Sequence, residues 1–263
     1  MSRKLRVVVL TQEDSFVIPE NIKLLGQMRS IELIAVVKIN TVGALENKKS
    51  LFIKGFGLIQ VAKMGLVIIF NQMLNMLDAF FTYKLGLLKS LKSVSVVCDT
   101  KYKIMKDPND ELNIDWLAKL DIDLAVSFSA PCVFKNKLLD LPKYGCINLH
   151  CSLLPKHAGV LPSFWTLYEK ADFFGATVHK MDDKIDNGVI LGQVVIKRPK
   201  NPSMFNVIKA TKLAGGHLMV SVIRDILREN IQPQSNKVKP EDYFSWPTLE
   251  QIKAFRRNGG RLI

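Results

Sequence analysis

Short apolar runs alternate with segments of helical character along most of this chain, and this alternation is the feature that most constrains its fold. LRVVVL (5–10), IELIAVV (31–37), SVSVVCD (93–99) and DLAVSFS (123–129) each have the length and β-branched content of a buried strand. The helical segments between strands include a stretch that ends near 28, LNIDWLAKL (112–120) and VFKNKLLDL (133–141). Such alternation favours right-handed crossovers and therefore predicts an α/β fold: an open, mostly parallel twisted sheet with helices on both faces.

Ligands of such sheets bind beyond the carboxyl ends of the strands, where the loops SFSAPC (127–132) and HCSLLPKHAG (150–159) are expected. The segment after the first strand, TQEDSF (11–16), has none of the glycines of a dinucleotide fingerprint or a Walker phosphate loop. The sequence therefore excludes these two kinds of nucleotide site.

Three residues form a candidate catalytic triplet: Asn148, His150 and Asp186. Asn148 and His150 lie two apart in the apolar run CINLH, so on a strand both project from one face. An amide donor beside an imidazole can stabilise an oxyanion and move a proton, and Asp186, in the turn-like IDNG, can orient or charge the imidazole. Taken singly, each has an ordinary alternative as a strand-end cap, a core histidine or a turn residue.

The spacing of Asn-x-His (148–150), SLLP (152–155), TVH (177–179) and IDNG (185–188) resembles the signature of formyltransferases that use 10-formyltetrahydrofolate. That family includes methionyl-tRNA formyltransferase, glycinamide ribonucleotide transformylase and sugar N-formyltransferases. The resemblance is good over 121–200 and only general on either side.

The resemblance implies an enzyme in which an acceptor amine attacks the formyl carbon directly, through a tetrahedral intermediate and without a covalent enzyme adduct. Asn148 and a protonated His150 would donate to the oxyanion. Asp186 would keep His150 charged and relay the proton that leaves the amine. The implied cosubstrate is 10-formyltetrahydrofolate, and no metal is expected.

The resemblance also implies a folate site made by main-chain groups of two loops. One loop contributes Cys132, Val133 and Phe134, and the other contributes Asp182, Asp183 and Ile185.

Four further residues are candidates for the acceptor side of the site: Ser152, Lys156, His157 and His179. After SLLP the chain reads PKHAG where the family often has a basic residue before glycine, which leaves Lys156 and His157 to meet an acceptor phosphate. His179, in TVH, is either a supporting residue of the site or a plain strand residue.

Charge and cysteine content bound the partners and the compartment. The formal net charge of +13 favours an anionic partner. Four cysteines and no leader-like start favour a cytoplasmic protein. Cys146, His150, Cys151 and His157 match no common zinc spacing, so buried small side chains are the favoured interpretation of the cysteines.

Residues 40–92 are too long for a usual crossover and indicate an apolar, basic-edged insertion. Seven lysines and one acid, Asp78, occur between 48 and 92, and the uncharged run 64–77 is short for a membrane span. We expect a long helix or helical pair that packs on its own domain or on a second subunit as a homodimer. Peripheral membrane contact through 50–92 and a true span are the alternatives.

We expect a catalytic domain over 1–230 and a C-terminal extension over 231–263, with a short helix that has a capping box of Thr248 and Gln251 and ends at Gly259. This leaves no room for a C-terminal β-barrel, and the insertion is too apolar to read RNA, so nucleic acid is not a favoured partner. By exclusion, the expected acceptor is a small anionic amine, an amino sugar that is nucleotide-linked or lipid-linked. Methionyl-tRNA, glycinamide ribonucleotide, and a non-catalytic membrane-associated binding protein are the alternatives.

Overall fold

A computed structural model of the chain describes residues 3–40, 46–198, 200 and 202–263. Seven strands form the main sheet: β1 (Leu5–Thr11), β2 (Ile31–Ile39), β3 (Lys101–Met105), β4 (Leu124–Phe128), β5 (Cys146–His150), β7 (Phe173–Lys180) and β8 (Ile190–Lys197). Their order in the sheet is β3-β2-β1-β4-β5-β7-β8. The first five are parallel, whereas β7 and β8 run antiparallel to their neighbours. The predicted fold class, an open and mostly parallel sheet with helices, is confirmed.

Helices cover the sheet on both faces. They are α1 (Ile18–Gly26), α2 (Glu46–Phe56), α3 (Leu58–Phe80), α4 (Leu91–Val97), α5 (Glu111–Ala118), α6 (Asn136–Leu139), α7 (Pro162–Tyr168), α8 (Met204–Leu227) and α9 (Leu249–Arg257). One apolar cluster lies between one face of the sheet and α1, α4 and α8, and a second lies between the other face, α5 and α6. The inward residues of β1 alternate between the two clusters, as expected for a strand that is buried on both sides.

The strand predicted at 93–99 is wrong, because this segment forms α4 and the edge strand is β3, which follows it. Ser90 caps α4 by accepting a hydrogen bond from the N–H of Ser93 at 3.1 Å. Leu91 and Val94, three apart, bury one helical face in the core. The β-branched composition was therefore overridden by the cap and by packing. The helix predicted at 133–141 is also shorter than expected, since α6 has only four residues.

The part of the insertion that the structure describes contains α2 and α3, joined at Gly57, so a helical pair is present. Residues 41–45, which also belong to the predicted insertion, lie outside the described residues. Helix α2 packs against α9, whereas α3 leaves most of its apolar side chains exposed. By its length and apolar composition alone, the helix Leu58–Phe80 could cross a membrane. Only 6% of its most apolar 18-residue stretch is buried.

The C-terminal extension folds back onto the rest of the chain. Its strand β9 (Tyr243–Phe244) pairs in parallel with β6 (Ala158–Gly159), in the loop after β5. Helix α9 has the capping box expected of Thr248 and Gln251, and Gly259 follows its end with a φ of 84°. A third apolar cluster joins the extension to α2 and α7.

Candidate active site

Strand β5 presents Asn148 and His150 near the carboxyl end of the parallel part of the sheet. Asn148 is paired across the antiparallel ladder with His179 of β7, and its Nδ2 lies 3.2 Å from Nε2 of that histidine. Nδ1 of His179 donates to the carbonyl of Lys180 at 2.9 Å, so only its Nε2 faces the site. The sequence allowed two interpretations of His179, a supporting residue of the site or a plain strand residue. In the structure its ring lies directly against Asn148.

The carboxylate of Asp186 lies between the two histidines. Its Oδ2 is 3.4 Å from Nδ1 of His150, and its Oδ1 is 3.4 Å from Nε2 of His179. The N–H of Gly159 also donates to Oδ2 at 2.8 Å. The structure thus brings the three residues of the predicted triplet together, with His179 as the link between Asp186 and Asn148.

The protonation of this cluster follows from burial and from the partners of each ring. Burial alone would raise the pKa of Asp186, but the neighbouring His150 and His179 and the N–H of Gly159 lower it to about 2. Burial lowers the pKa of His150 by more than the Asp186 carboxylate raises it. The net shift of the His150 pKa therefore favours the neutral imidazole, against the expectation that Asp186 keeps it charged.

The position of the proton on neutral His150 is set by the main chain. Nε2 lies 2.9 Å from the carbonyl oxygen of His157, which can only accept, so Nε2 carries the hydrogen. The lone pair of Nδ1 then faces Asp186. Nδ1 is the atom of this ring at which a proton can be taken up, and the carboxylate beside it would stabilise the resulting charge.

Both groups that touch His150 come from residues with left-handed backbones. Asp186 has a φ of 52° and His157 a φ of 56°, a region that residues other than glycine adopt infrequently. The turn after Asp186 also needs Gly188, where a Cβ would lie 1.9 Å from the carbonyl oxygen of Lys180. The IDNG sequence therefore supplies a carboxylate and the close backbone approach that places it.

Asn236, in the C-terminal extension, supports the same turn. Its Nδ2 donates to the carbonyl oxygens of Asp186 at 2.8 Å and Gly188 at 3.0 Å. Val238 adds a backbone N–H, 3.4 Å from Oδ1 of Asn187. Sequence reasoning missed Asn236, because it lies in an aperiodic stretch about fifty positions from the turn and no local pattern indicates its partner.

The two loops expected to hold the folate pack on one apolar cluster. Cys132 and Phe134 from one loop, and Met181 at the start of the other, contact the cluster that contains Cys146. Val133 and Ile185 are 49% and 48% exposed, so each loop offers an apolar side chain to a ligand. In the second loop, Oδ1 of Asp182 accepts from the N–H of Lys184 at 3.0 Å, while Asp183 is exposed. The main-chain contacts with folate stay a prediction.

A side chain that sequence reasoning missed also holds the first folate loop. Asn109 donates to the carbonyl of Val133 at 3.0 Å and accepts from the N–H of Lys135 at 2.8 Å. These contacts fix the loop from outside the predicted site.

Two of the four acceptor-side candidates are engaged in the protein itself. The hydroxyl of Ser152 is buried and donates to the carbonyl of Lys156 at 2.8 Å. The ring of His157 is buried, with Nε2 2.8 Å from a Glu169 carboxylate oxygen, and packs on Phe244. The expected contact of these two side chains with an acceptor is therefore not what the geometry supports. Lys156 is exposed and available.

The cysteines near the site lie among apolar groups and backbone. Sγ of Cys146 lies 3.7 Å from the carbonyl of Leu138, and burial raises the pKa of this thiol to about 12. Within the described ranges, no group of three or more histidine, cysteine or acidic residues has an arrangement that could hold a metal ion.

An amide donor, an imidazole and an ionised carboxylate thus lie together at the carboxyl edge of an open α/β sheet, which is the equipment for general acid–base and oxyanion chemistry. Residues 82–223 match the formyl transferase family, which is more than half of the chain. The chain belongs to the formyl transferase family, whose members are enzymes.

Relatives and solved structures agree with this assignment. A methionyl-tRNA formyltransferase of Clostridium tetani is 33% identical over 137 residues, which cover 52% of this chain and 44% of that protein. The chain therefore spans less than half the length of this curated relative.

Two solved structures share the fold at low identity. Glycinamide ribonucleotide transformylase 1 of Symbiobacterium toebii has a TM-score of 0.61 at 12% identity, over 89% of this chain and 96% of that one. An N-formyltransferase of Helicobacter canadensis, in complex with folinic acid and dTDP-3-aminofucose, has a TM-score of 0.58 at 15% identity, over 96% of this chain and 80% of that one.

Proposed function

We propose that this protein transfers a formyl group from 10-formyltetrahydrofolate to the amine of a small anionic acceptor. The observation that carries the proposal is the contact chain from His150 through Asp186 and His179 to Asn148, with distances of 3.4, 3.4 and 3.2 Å. It joins an oxyanion donor to an ionised base in a largely buried setting, as acyl transfer to an amine requires.

Each residue has a defined part in this reaction. One N–H of the Asn148 amide is used by His179, and the other is free to donate to the formyl oxygen as that oxygen gains charge. As the acceptor nitrogen bonds to the formyl carbon, it loses a proton to Asp186 or to Nδ1 of His150. The donor contributes the formyl carbon, whose bond to the folate nitrogen breaks, and that nitrogen recovers a proton.

The folate would lie between the loops that contain Val133 and Ile185. Both loops pack on the same apolar cluster and expose an apolar side chain, which suits a flat aromatic ligand held by main-chain groups. The residues present therefore fit the cosubstrate.

For the acceptor we propose an amino sugar, linked to a nucleotide or a lipid. The net charge of +13 and the exposed Lys156 beside the site favour a phosphorylated amine. The complex of a similar fold with dTDP-3-aminofucose supports the same class. Methionyl-tRNA is the second candidate, because a methionyl-tRNA formyltransferase is the curated relative described above.

The test is a formylation assay with purified full chain, 10-formyltetrahydrofolate and three kinds of acceptor: amino-sugar nucleotides, glycinamide ribonucleotide and methionyl-tRNA. We expect an amino-sugar nucleotide to be formylated, and Asn148→Ala to lower kcat about 100- to 1,000-fold, as loss of one oxyanion donor does elsewhere. Lys119→Ala, an exposed change at the C-terminal end of α5, is the control and should keep the activity. Formylation of none of the acceptors, or rates equal to the wild type in both Asn148→Ala and Asp186→Ala, would reject the proposal.

A further inference from the structure

Helix α3 has its polar and apolar sides reversed relative to a helix on the surface of a soluble protein. The side that faces the domain carries Gln60, Asn71, Asn75 and Asp78, spaced three, four or eleven apart. The opposite side, which we call the outer face of α3, carries Ile59, Leu66, Phe70, Met73, Leu77 and Phe80, and all six are exposed. Leu66 is 67% exposed and Phe80 81%.

The polar side of α3 is fixed to the domain along its whole length. Gln60 accepts from the N–H of Leu262 near the first turn, and Nδ2 of Asn71 donates to the carbonyl of Ser15 at 3.0 Å in the middle. Asp78, fully buried, accepts from the N–H of Leu87 at 3.0 Å and from the hydroxyl of Ser93 at 2.8 Å in the last turn. The outer face therefore cannot rotate inward without breaking all of these bonds.

An apolar surface of this size needs a partner. The helix has 23 residues, which is about 34 Å at 1.5 Å per residue. Continuous apolar patches of more than a few hundred Å² are rare on monomers and mark interaction sites. The partner must be apolar at its centre, because, among the residues that the structure describes, Lys63 and Gln72 are the only polar side chains that α3 directs outward.

Charge identifies the partner. The sequence from 48 to 92 has seven lysines and a single acid, and that acid is the buried Asp78. Lys54 lies four residues before α3, Lys63 lies on it and Lys84 lies four residues after it, and all three are exposed, so positive charges flank both ends of the helix. An anionic lipid surface complements both the apolar centre and the basic edges.

A second copy of the chain fits this charge pattern less well. Ile59, Leu66, Met73 and Phe80 are seven apart, a spacing that a two-stranded coiled coil also uses. A coiled-coil seam is usually flanked by opposite charges, whereas α3 offers only Lys63 there and each copy adds a net charge of +13. A bilayer span is excluded by the bonds of Asn71 and Asp78, which tie the helix lengthwise to the domain.

We propose that the outer face of α3 binds the surface of an anionic lipid bilayer, with the helix parallel to the membrane plane and the lysines at its edges beside the headgroups. This inference does not depend on the formylated acceptor. It rests on the reversed polarity of the helix and on the sign of the charges around it.

The experiment is flotation of the full chain with vesicles of phosphatidylglycerol and phosphatidylcholine, or of phosphatidylcholine alone. We expect binding to the mixed vesicles that weakens with salt, and little binding to phosphatidylcholine alone. Leu66→Gln/Phe70→Gln/Met73→Gln should abolish flotation. Lys63→Gln/Lys84→Gln should weaken it about fivefold per lysine. Leu112→Gln, which replaces an 83% exposed leucine on α5, is the matched control and should float like the wild type.

Circular dichroism and the melting temperature of the triple variant show whether it is folded. We expect both to match the wild type, because the three replaced side chains are exposed, so a loss of flotation would not be caused by unfolding. The alternative partner is a second copy of the chain. Light scattering of the lipid-free protein tests it by measuring whether the protein is a monomer or a dimer. The proposal is overturned if the wild type does not float, if the folded triple variant floats equally well, or if the wild type is a dimer that the triple variant converts to monomers while neither binds vesicles.

Discussion

Asp186 is the residue on which the geometry of the site converges. Its carboxylate is placed by a left-handed backbone, held by the N–H of Gly159 and approached by two imidazoles. Because its pKa is held to about 2, the group stays ionised throughout the range in which an amine can be formylated. His150, whose pKa is lowered by burial, is then available as a neutral ring.

The depressed pKa of Asp186 predicts a pH-dependent contribution to stability. The unfolded carboxyl has a pKa near 3.8 and the folded one about 2, so the stabilisation is complete above pH 3.8 and is lost as the pH falls towards 2. It amounts to about 2 kcal/mol at pH 6, of which about 1 kcal/mol is lost by pH 3. Urea unfolding of wild type and Asp186→Asn should therefore differ less at pH 3 than at pH 6. A constant difference across this range would contradict the assignment.

The predicted triplet comes together in the structure for a local reason. A spacing of two on a strand places Asn148 and His150 on one face, and a turn sequence marks Asp186. The contact of His150 with the carbonyl of His157, which fixes the proton on the ring, could not be predicted, because residue types do not reveal where a loop directs its carbonyl groups. The lowering of the His150 pKa by burial could not be predicted either, since the depth of burial depends on the whole fold.

Among the elements, the C-terminal extension has an unexpected connection to the site. It pairs β9 with β6 beside Gly159, and it sends Asn236 to the main chain of the Asp186 turn. The carboxylate is therefore positioned by segments that precede α8 in the sequence and by segments that follow it.

Replacing Asn236 tests this connection. Asn236→Ala removes two hydrogen bonds from the Asp186–Gly188 turn, so the carboxylate should lose its fixed position. We expect kcat to fall about tenfold or more, with a smaller change in the KM for the acceptor, since a misplaced catalytic group affects the chemical step most. Asn230→Ala, which changes an exposed asparagine between the end of α8 and the extension, is the control. Equal kcat values in the two variants would show that the turn holds without Asn236.

Two helical glycines provide a test of how closely the helices pack. A Cβ at Gly216 of α8 would lie 2.1 Å from Oδ1 of the buried Asn21, whereas a Cβ at Gly65 of α3 would meet nothing within 4 Å. Gly216→Ala should therefore destabilise the fold by about 1–3 kcal/mol through overpacking. Gly65→Ala should stabilise it by up to about 1 kcal/mol through helix propensity. Thermal unfolding measures both, and changes of the same sign would refute the close approach of α8 to α1.

Sequence patterns predicted the central strands but not some of the other elements. The strands of the sheet centre were predictable because burial on both faces demands continuous apolar runs. The segment 93–99 has the same composition but forms α4, because the Ser90 cap and the packing of Leu91 and Val94 favour a helix. The short β6 and β9 pair only with each other, so neither was visible from its own residues.

Among the residues that the structure describes, apolar clusters connect the sheet, the insertion and the extension. The third brings together Phe56 of α2, Phe164 of α7 and Phe255 of α9, three segments that are far apart in sequence. The ring centroids of Phe164 and Phe255 are 5.1 Å apart, and those of Phe56 and Phe255 are 6.0 Å apart. Phe255 is thus an aromatic side chain of the extension that contacts both other segments.

Truncating this ring should loosen the insertion and the extension together. Phe255→Ala removes a side chain that is 4% exposed and should cost about 3–5 kcal/mol, because the cavity it leaves borders two other rings. Lys253→Ala changes an exposed position of the same helix and should cost less than about 0.5 kcal/mol. Hydrogen exchange measured along the chain should show faster exchange in both α2 and α9 of Phe255→Ala, because each packs on the other through this cluster. Loss of protection in α9 alone would mean that the insertion is held to the domain by its own contacts, and that α3 keeps its orientation without the extension.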